Sequence, residues 1–220
     1  MYVTVLACTT PEPEKVVAAA ARLCYSNDEV TEIMNNFTEE KIEKFLKKLS
    51  DLGHESPLEH VSFTFGISGI SRACSHQLVR HRIASYSQKS QRYVDESYFD
   101  YVIPPKIIEL GEQDAYEAMM YQIKEFYRDL KAMGIEPEDA RMVLPNACTT
   151  SIVVTMNART LLNFFKLRDC NRAQWEIREL AREMMRLCKA YAPRLFDKAG
   201  ASCRHGACSE GEMSCGKPLR

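Results

Sequence analysis

The sequence lacks several features that define common protein classes. Its 29 Lys and Arg residues nearly balance 30 Asp and Glu residues, so the net charge is −1 and the whole chain is not a polyanion binder. Its longest uncharged stretch, 142–158, contains Pro145, Asn146 and Asn157, which excludes a membrane span. There is no internal repeat and no G-x-G-x-x-G segment, so any dinucleotide must bind without the Rossmann fingerprint.

The N-terminus, MYVTVLACTT, has no basic leader and only a short apolar run, so we expect no signal peptide. Without secretion, nine cysteines indicate a reducing compartment rather than a disulfide framework. We therefore expect a cytoplasmic protein.

Three segments have the apolar pattern of strands: 2–6, 61–67 and 151–157. Helical patterns separate them. Because 45% of the residues are apolar, a packed interior is expected. The sequence predicts an α+β fold, with helices packed around a small, mainly antiparallel sheet. Residues 1–200 would form one catalytic domain, and 201–220 a cysteine-containing tail.

Several helices have clear limits. Thr38 is a candidate N-cap and Gly53 a stop for one helix, and Asn157 can cap another over 158–167. A helix over 71–82 would lead into the basic stretch described below. A longer one carries a stripe of Met and aromatic side chains, including Met119 and Phe126, that we expect to face the core.

Residues 77–93, QLVRHRIASYSQKSQRY, concentrate cationic, hydroxyl and amide side chains. Guanidinium groups bind phosphate bidentately, and hydroxyls and amides fix orientation, so this composition suits a planar anionic ligand. On a helix, Gln77, Arg80 and His81 would share one face. The alternative is a basic helix end followed by a solvated serine loop.

The loop GHESPLEH offers His54, Glu55, Glu59 and His60, which could suggest a metal site. Pro57 favours an extended chain over a helix, so the helical HExxH arrangement of a zinc protease does not apply. We expect polar loop residues or ligand contacts here, and no metal.

The spacing in the basic stretch is that of a known signature. Arg-His-Arg, seven residues and Ser, continuing to Gln91-Arg92-Tyr93, resembles the motif of the flavin-dependent thymidylate synthases. GHESPLEH, NARTLLNFFKLR and AQWEI resemble other blocks of that family, in the family's order. Because of these blocks, the chain resembles that family from about Val16 to Phe196.

The resemblance implies reductive methylation of dUMP to dTMP. Methylenetetrahydrofolate would supply the carbon, and NADPH would reduce bound FAD. It also implies a homotetramer with shared active sites, small-molecule substrates, and no nucleic-acid or membrane partner.

The resemblance also assigns site residues. For FAD it implies Ser56, Arg80, His81, Arg82, Gln88, Asn157, Arg159 and Asn163, with His54 near flavin and folate. For dUMP it implies Gln77, Arg80, Gln88, Ser90, Gln91, Arg92, Arg141 and Arg168. Many relatives have Glu, Thr and Ser where this chain has Gln88, Ser56 and Cys24.

Arg168 is the expected catalytic residue, because a fixed guanidinium beside the uracil imide would favour the deprotonated ring. From the residues alone, an ion pair of Arg168 with Asp169 or Glu176 is the alternative.

The tail contains Cys203, His205, Cys208 and Cys215, which could form a Cys₃His zinc site, with Cys188 as an alternative ligand. No C-x-x-C pair is present and few apolar residues are available, so we expect flexible, unliganded thiols. We also expect the tail to be dispensable for chemistry, so that truncation after Ala199 leaves activity largely intact. The rival function is an RNA- or nucleotide-binding module with a zinc-stabilised tail. The near-neutral charge counts against it.

Overall fold

The structure, a computed structural model, describes residues 1–219. Four strands and nine α-helices are present in this part of the chain. The strands are β1 (Tyr2–Cys8), β2 (Ser62–Ser71), β3 (Ser85–Gln88) and β4 (Thr149–Asn157). The α-helices are α1 (Pro13–Leu23), α2 (Val30–Asn36), α3 (Glu39–Leu52), α4 (Arg72–Leu78), α5 (Pro105–Glu109), α6 (Gln113–Ala132), α7 (Pro137–Ala140), α8 (Ala158–Arg168) and α9 (Trp175–Tyr191). None of the described helices is long and apolar enough to span a membrane.

The strands form one antiparallel sheet in the order β1-β2-β4-β3, which confirms the predicted α+β class. The alternation predicted near β2 is confirmed, since Val61, Phe63 and Phe65 have no exposed surface. Ile152 and Val154 of β4 are likewise at most 2% exposed. Burial of every second side chain is what fixes the strand register.

The helix limits read from capping residues are also confirmed. The Thr38 hydroxyl accepts a hydrogen bond from the Lys41 amide, and Gly53 ends α3 with a left-handed φ of 68°. The side-chain oxygen of Asn157 accepts from the Thr160 amide at 2.8 Å, so α8 begins where the sequence predicted.

The helix predicted over 71–82 is wrong at its end. Ser71 caps α4, but the helix stops at Leu78, and residues 80–82 lie outside it. The Tyr86 hydroxyl donates to the Leu78 carbonyl at 2.9 Å, which satisfies an orphan carbonyl of the last turn. Gln77, Arg80 and His81 therefore do not share a helix face.

Three other expectations are corrected. The predicted serine loop contains β3, a short strand that the sequence analysis missed. Ser56–His60 form a 3₁₀ helix instead of an extended chain, because Pro57 is tolerated in its first turn. On α6, Met119 and Phe126 are 52% and 51% exposed, so only part of the predicted stripe faces the core.

The chain divides into two compact units. The first comprises Met1–Tyr2, Ile67–Arg80 and Tyr86–Val153. Its buried cluster contains Phe99, Met120 and Cys148, and the fully buried Tyr127 adds to the interior.

The second unit comprises Val3–Gly66, His81–Ser85 and the described chain from Val154 onward. Its interior is aromatic: the Phe196 ring meets Phe63 edge-on at 5.6 Å and Phe165 at 6.0 Å between centroids. The Glu14 carboxylate accepts hydrogen bonds from the Arg194 amide and guanidinium, both at 2.6 Å.

Candidate functional site

In the first unit, α7 anchors two of the predicted substrate-binding arginines. Arg92 donates its Nε–H to the Glu138 carboxylate, and Arg141 donates its Nε–H to the Glu138 carbonyl at 3.0 Å. Neither guanidinium has another hydrogen-bond partner within residues 1–219, so their terminal NH₂ groups are available. Two such forks held by one residue suit a phosphate dianion. Sequence reasoning missed Glu138.

The side chain of Gln88, the last residue of β3, is held by hydrogen bonds from its amide group. Its Nε2 donates to Ser75 Oγ at 2.9 Å and to Thr150 Oγ1 at 3.3 Å. These bonds occupy both amide hydrogens, and the Oε1 atom has no partner in the described chain. Gln88 therefore presents an acceptor, not a donor, to any ligand.

Ser90 and Lys89 have different roles despite being adjacent. The Ser90 hydroxyl oxygen accepts from the Arg92 amide at 3.1 Å, which leaves its own hydrogen able to donate. Lys89 Nζ lies 2.9 Å and 3.1 Å from the two oxygens of Glu96, which is only 3% exposed. The Lys89 charge is thus neutralised inside the protein.

In the described part of the chain, the remaining predicted residues of this unit are not hydrogen-bonded to Arg92 or Arg141. Within residues 1–219, the side chains of Gln77, Arg80 and Gln91 make no hydrogen bond or ion pair. Arg80 is exposed, just beyond the end of α4. These side chains are accessible for a ligand, but within residues 1–219 no hydrogen bond or ion pair joins them to Arg92 or Arg141.

In the second unit, Arg168 contacts His81. The Arg168 Nε–H donates to His81 Nε2 at 3.0 Å, and the His81 ring meets Phe164 edge-on at 4.9 Å. Burial, together with the charge of Arg168, lowers the pKa of His81 to about 4. His81 is therefore a neutral acceptor at pH 7.

The alternative reading of Arg168 as an ion-pair partner of Asp169 or Glu176 is wrong for Asp169. The Asp169 carboxylate is instead bound by Arg182 and Arg204. No ion pair between Arg168 and Glu176 is present in the described chain either. The terminal NH₂ groups of Arg168 consequently remain available to a ligand.

Arg159 connects α8 to the 3₁₀ helix Ser56–His60. Its guanidinium contacts the Glu55 carboxylate at 3.2 Å and the Glu59 carboxylate at 2.6 Å. All three side chains are exposed. Because Glu55 and Glu59 flank Ser56, these ion pairs place Ser56 near the N-terminal end of α8. The two glutamates are thus partners of a predicted cofactor residue.

The other predicted cofactor residues of this unit are exposed or take part in capping. His54, Ser56, Arg82 and Asn163 are exposed. Asn157 uses its side-chain oxygen to cap α8, and its amide nitrogen remains for another contact. Among residues 1–219, no cluster of three or more His, Cys, Asp or Glu side chains is arranged to hold a metal.

A cavity of about 720 Å³ opens beside His54. Leu46 of α3 and Leu162 of α8 give it apolar walls, and Lys166 contributes a cation. Leu162 and Lys166 lie three and seven residues after Arg159, on the same side of α8. The volume is within the usual range for a small-molecule site.

Residues 5–194 match the family described as thymidylate synthase complementing protein. The chain belongs to the flavin-dependent thymidylate synthase family. A relative from Clostridium tetani with that name is 54% identical, over 94% of this chain and 90% of the relative. Others with the same name come from Geobacter sulfurreducens, at 54% identity over 94% of this chain and 91% of the relative, and Sulfolobus acidocaldarius, at 45% over 86% and 74%.

Every predicted site residue of this family member lies within the matched range 5–194. Arg204, which binds the Asp169 carboxylate, lies outside it. No signal in the sequence connects Arg204 to Asp169, since the two are 35 residues apart and the contact depends on how the chain folds back.

Proposed function

We propose that this protein is a flavin-dependent thymidylate synthase that converts dUMP to dTMP. In this proposal it is a methyltransferase that uses methylenetetrahydrofolate as carbon donor and consumes NADPH through bound FAD. The observation that supports it most is the contact between Arg168 and the neutral His81. That contact fixes a permanent cation while leaving two NH₂ groups for the edge of a pyrimidine.

Arg168 would act on the uracil ring by electrostatics. Its guanidinium cannot lose its proton, so it would stabilise negative charge that develops on the imide when the ring is activated. His81, uncharged and buried, holds the guanidinium without competing for that charge. A donor fixed in advance costs no reorganisation when the reaction occurs.

Arg92 and Arg141 would bind the phosphate of dUMP. Glu138 uses only one N–H from each guanidinium, so the terminal groups could form bidentate bonds to phosphate oxygens. Ser90 would add a hydroxyl donor, and the Gln88 Oε1 an acceptor for a ring N–H.

The described residues fit FAD in their chemistry. Arg82 and Asn163 are exposed donors in the second unit, and Ser56 stands beside the start of α8. Their donor groups suit phosphate and ring oxygens, and the cavity beside His54 has apolar walls for a planar ring. FAD would supply the hydride chemistry, and the protein would supply binding, orientation and charge.

An exposed apolar surface on α6 supports the proposed homotetramer. Met119 and Phe126, seven residues apart and therefore on one face of α6, are 52% and 51% exposed. Burying it against another copy would be favourable. We propose a cytoplasmic tetramer whose subunits share active sites, and light scattering of the purified protein would test the subunit number.

The decisive experiment begins with the purified protein. Visible absorbance should show bound flavin, and NADPH oxidation should require dUMP. Adding methylenetetrahydrofolate should yield dTMP, identified by mass spectrometry. A colourless protein with stoichiometric zinc and affinity for RNA would contradict the proposal and favour the rival nucleic-acid module.

A further inference from the structure

Asp169, the residue directly after Arg168, is fully buried and its carboxylate is surrounded by donors. Arg182 Nε donates to Oδ1 at 2.8 Å, and the Ala201 amide donates to Oδ2 at 3.1 Å. Arg204 binds both oxygens, with Nε 2.5 Å from Oδ2 and Nη2 3.1 Å from Oδ1. We call these four residues the Asp169 clamp.

The backbone at Gly200, next to the clamp, leaves room for the Asp169 carboxylate and the Arg204 side chain. Gly200 has a φ of 122°, a conformation that side-chain-bearing residues rarely adopt. A Cβ atom there would lie 2.8 Å from Arg204 Cδ and 3.0 Å from Asp169 Oδ2. Only glycine therefore lets the chain pass this closely to the bound carboxylate.

The clamp keeps Asp169 charged and in place. Burial alone would raise the pKa of Asp169, but the hydrogen bonds from Arg204, Arg182 and the Ala201 amide outweigh it and hold the pKa below its usual value. Removing one partner of a buried ion pair leaves an uncompensated charge and is strongly unfavourable. The carboxylate therefore has one well-defined position.

That position determines where α8 ends. The Asp169 amide donates to the Phe165 carbonyl at 2.9 Å, so Asp169 continues the last turn of α8. Arg168 belongs to this turn, and its guanidinium reaches His81 at 3.0 Å. A shift of Asp169 would move the backbone from which Arg168 extends.

We propose that Arg204 is a positioning residue that acts through Asp169 to hold the Arg168 guanidinium in place. Arg204 lies after residue 194, beyond the residues 5–194 that match the family description. The identity of the ligand that Arg168 contacts, a pyrimidine, depends on the proposed function. The structural step, from Arg204 to Asp169 to the last turn of α8, rests on contacts alone.

The first test compares Arg204→Gln with Arg204→Lys in the full-length, flavin-loaded protein. Arg204→Gln should lower kcat for dTMP by about tenfold to a hundredfold with a much smaller change in the KM for dUMP, because misplacing a catalytic group by about 1 Å costs rates of this order. Arg204→Lys keeps the charge and should restore part of kcat. Arg186→Gln is the matched control, since Arg186 forms an exposed ion pair with Glu183 on α9.

The second test separates the clamp from the rest of the tail. A chain ending after Gly206 keeps Ala201 and Arg204 and should retain kcat. A chain ending after Ala199 loses both and should behave like Arg204→Gln, contrary to the sequence-based expectation that the tail is dispensable. Gly200→Ala, which leaves every clamp side chain present but crowds Arg204, should also lower kcat.

Hydrogen exchange of backbone amides distinguishes this proposal from the proposed function. Exchange in the last turn of α8 should be faster in Arg204→Gln than in the wild type, whether or not dTMP is formed. A wild type without dTMP formation would refute the function while this readout still tests the clamp. The positioning role would be overturned if Arg204→Gln had the same exchange rates and kcat as the wild type. It would also be overturned if both truncated chains lost kcat equally, or if Arg204→Gln unfolded globally instead of losing kcat.

Discussion

The Nε–H of Arg168 donates to Nε2 of His81 across 3.0 Å, and this bond requires an uncharged imidazole. An imidazolium would carry a hydrogen on that nitrogen and repel the guanidinium. The ring is buried against Phe164 and its pKa is lowered to about 4, so it remains neutral at physiological pH. The pair therefore orients Arg168 without neutralising it.

We predict that this pair makes stability depend on pH between about 6.5 and 4. The unfolded chain binds a proton on His81 near pH 6.5, whereas the folded chain binds it only near pH 4. Stability contributed by neutral His81 is thus complete above pH 6.5 and is lost as the pH falls through this window. Thermal unfolding of the wild type at pH 7 and pH 5 should show the decrease.

The variant His81→Asn tests the source of that decrease, because Asn can accept from Arg168 but does not titrate. Its difference in unfolding temperature between pH 7 and pH 5 should be smaller than that of the wild type. His76→Asn, at an exposed position of α4, is the control and should keep the wild-type difference. An unchanged pH dependence in His81→Asn would show that another group is responsible.

We predict that Arg168→Ala keeps its flavin but loses most dTMP synthesis. Removing one preorganised donor to a developing charge typically lowers kcat by about 10²–10³. Arg168→Lys should recover little, because an ammonium cannot present a planar fork. Flavin absorbance per chain and dTMP formation are the two measurements.

The control for Arg168→Ala is Arg172→Ala, an exposed arginine four residues further along the chain. It should retain both flavin and activity. If Arg168→Ala purified without flavin, or turned over at the wild-type rate, Arg168 would not be the pyrimidine contact.

Local sequence signals predicted the parts of the fold that depend on local physics. The alternation through Phe63 and Phe65 identified β2, and the capping chemistry of Thr38 and Asn157 placed the starts of α3 and α8. These predictions succeeded because burial of alternate residues and capping of the first turn act within a few residues.

Features that depend on distant contacts were not predictable. The strand β3 has the sequence SYSQ, without an apolar alternation, and α4 ends where the Tyr86 hydroxyl reaches the Leu78 carbonyl. In the candidate site, family motifs identified the expected residues. They did not identify Glu138, which binds Arg92, or Arg204, which binds Asp169. Ion-pair partners of this kind cannot be identified from the local sequence, because a charged residue does not indicate which oppositely charged residue it will contact in the folded chain.

We predict that Ser90 is a binding residue and not a nucleophile. A serine hydroxyl needs a base to take its proton, yet the described partner of Ser90 Oγ is the Arg92 amide, a donor. Lys89, the adjacent cation, is paired with Glu96. Ser90→Ala should therefore weaken dUMP binding by about 0.5–1.5 kcal/mol and keep activity well above background.

Mass spectrometry of the wild type during turnover checks the same point for Ser90. No covalent pyrimidine adduct should be found on it. Complete loss of dTMP formation in Ser90→Ala at saturating dUMP, with flavin still bound, would contradict a purely binding role.

The last prediction concerns Gln88. Its Nε2 donates to Ser75 Oγ at 2.9 Å and Thr150 Oγ1 at 3.3 Å, and the Ser75 hydroxyl already donates to the Arg72 carbonyl at 2.9 Å. A carboxylate in Gln88→Glu has no hydrogen to give, so it would face the Ser75 oxygen without a bond. We expect a loss of about 1–3 kcal/mol in unfolding free energy at pH 7.

A protonated glutamic acid could donate to Ser75, so the pKa of the new carboxyl group should be raised in the folded state. Stability from a raised pKa is present at low pH and is lost as the pH rises. The deficit of Gln88→Glu relative to the wild type should therefore shrink between pH 7 and pH 5, as measured by urea unfolding. Gln91→Glu, which adds the same charge at a side chain without hydrogen-bond partners in the described chain, controls for charge. Equal stability of Gln88→Glu and the wild type at pH 7 would mean that the Ser75 or Thr150 hydroxyl can turn to donate to the carboxylate at no cost, and the importance assigned to the Gln88 donor would be wrong.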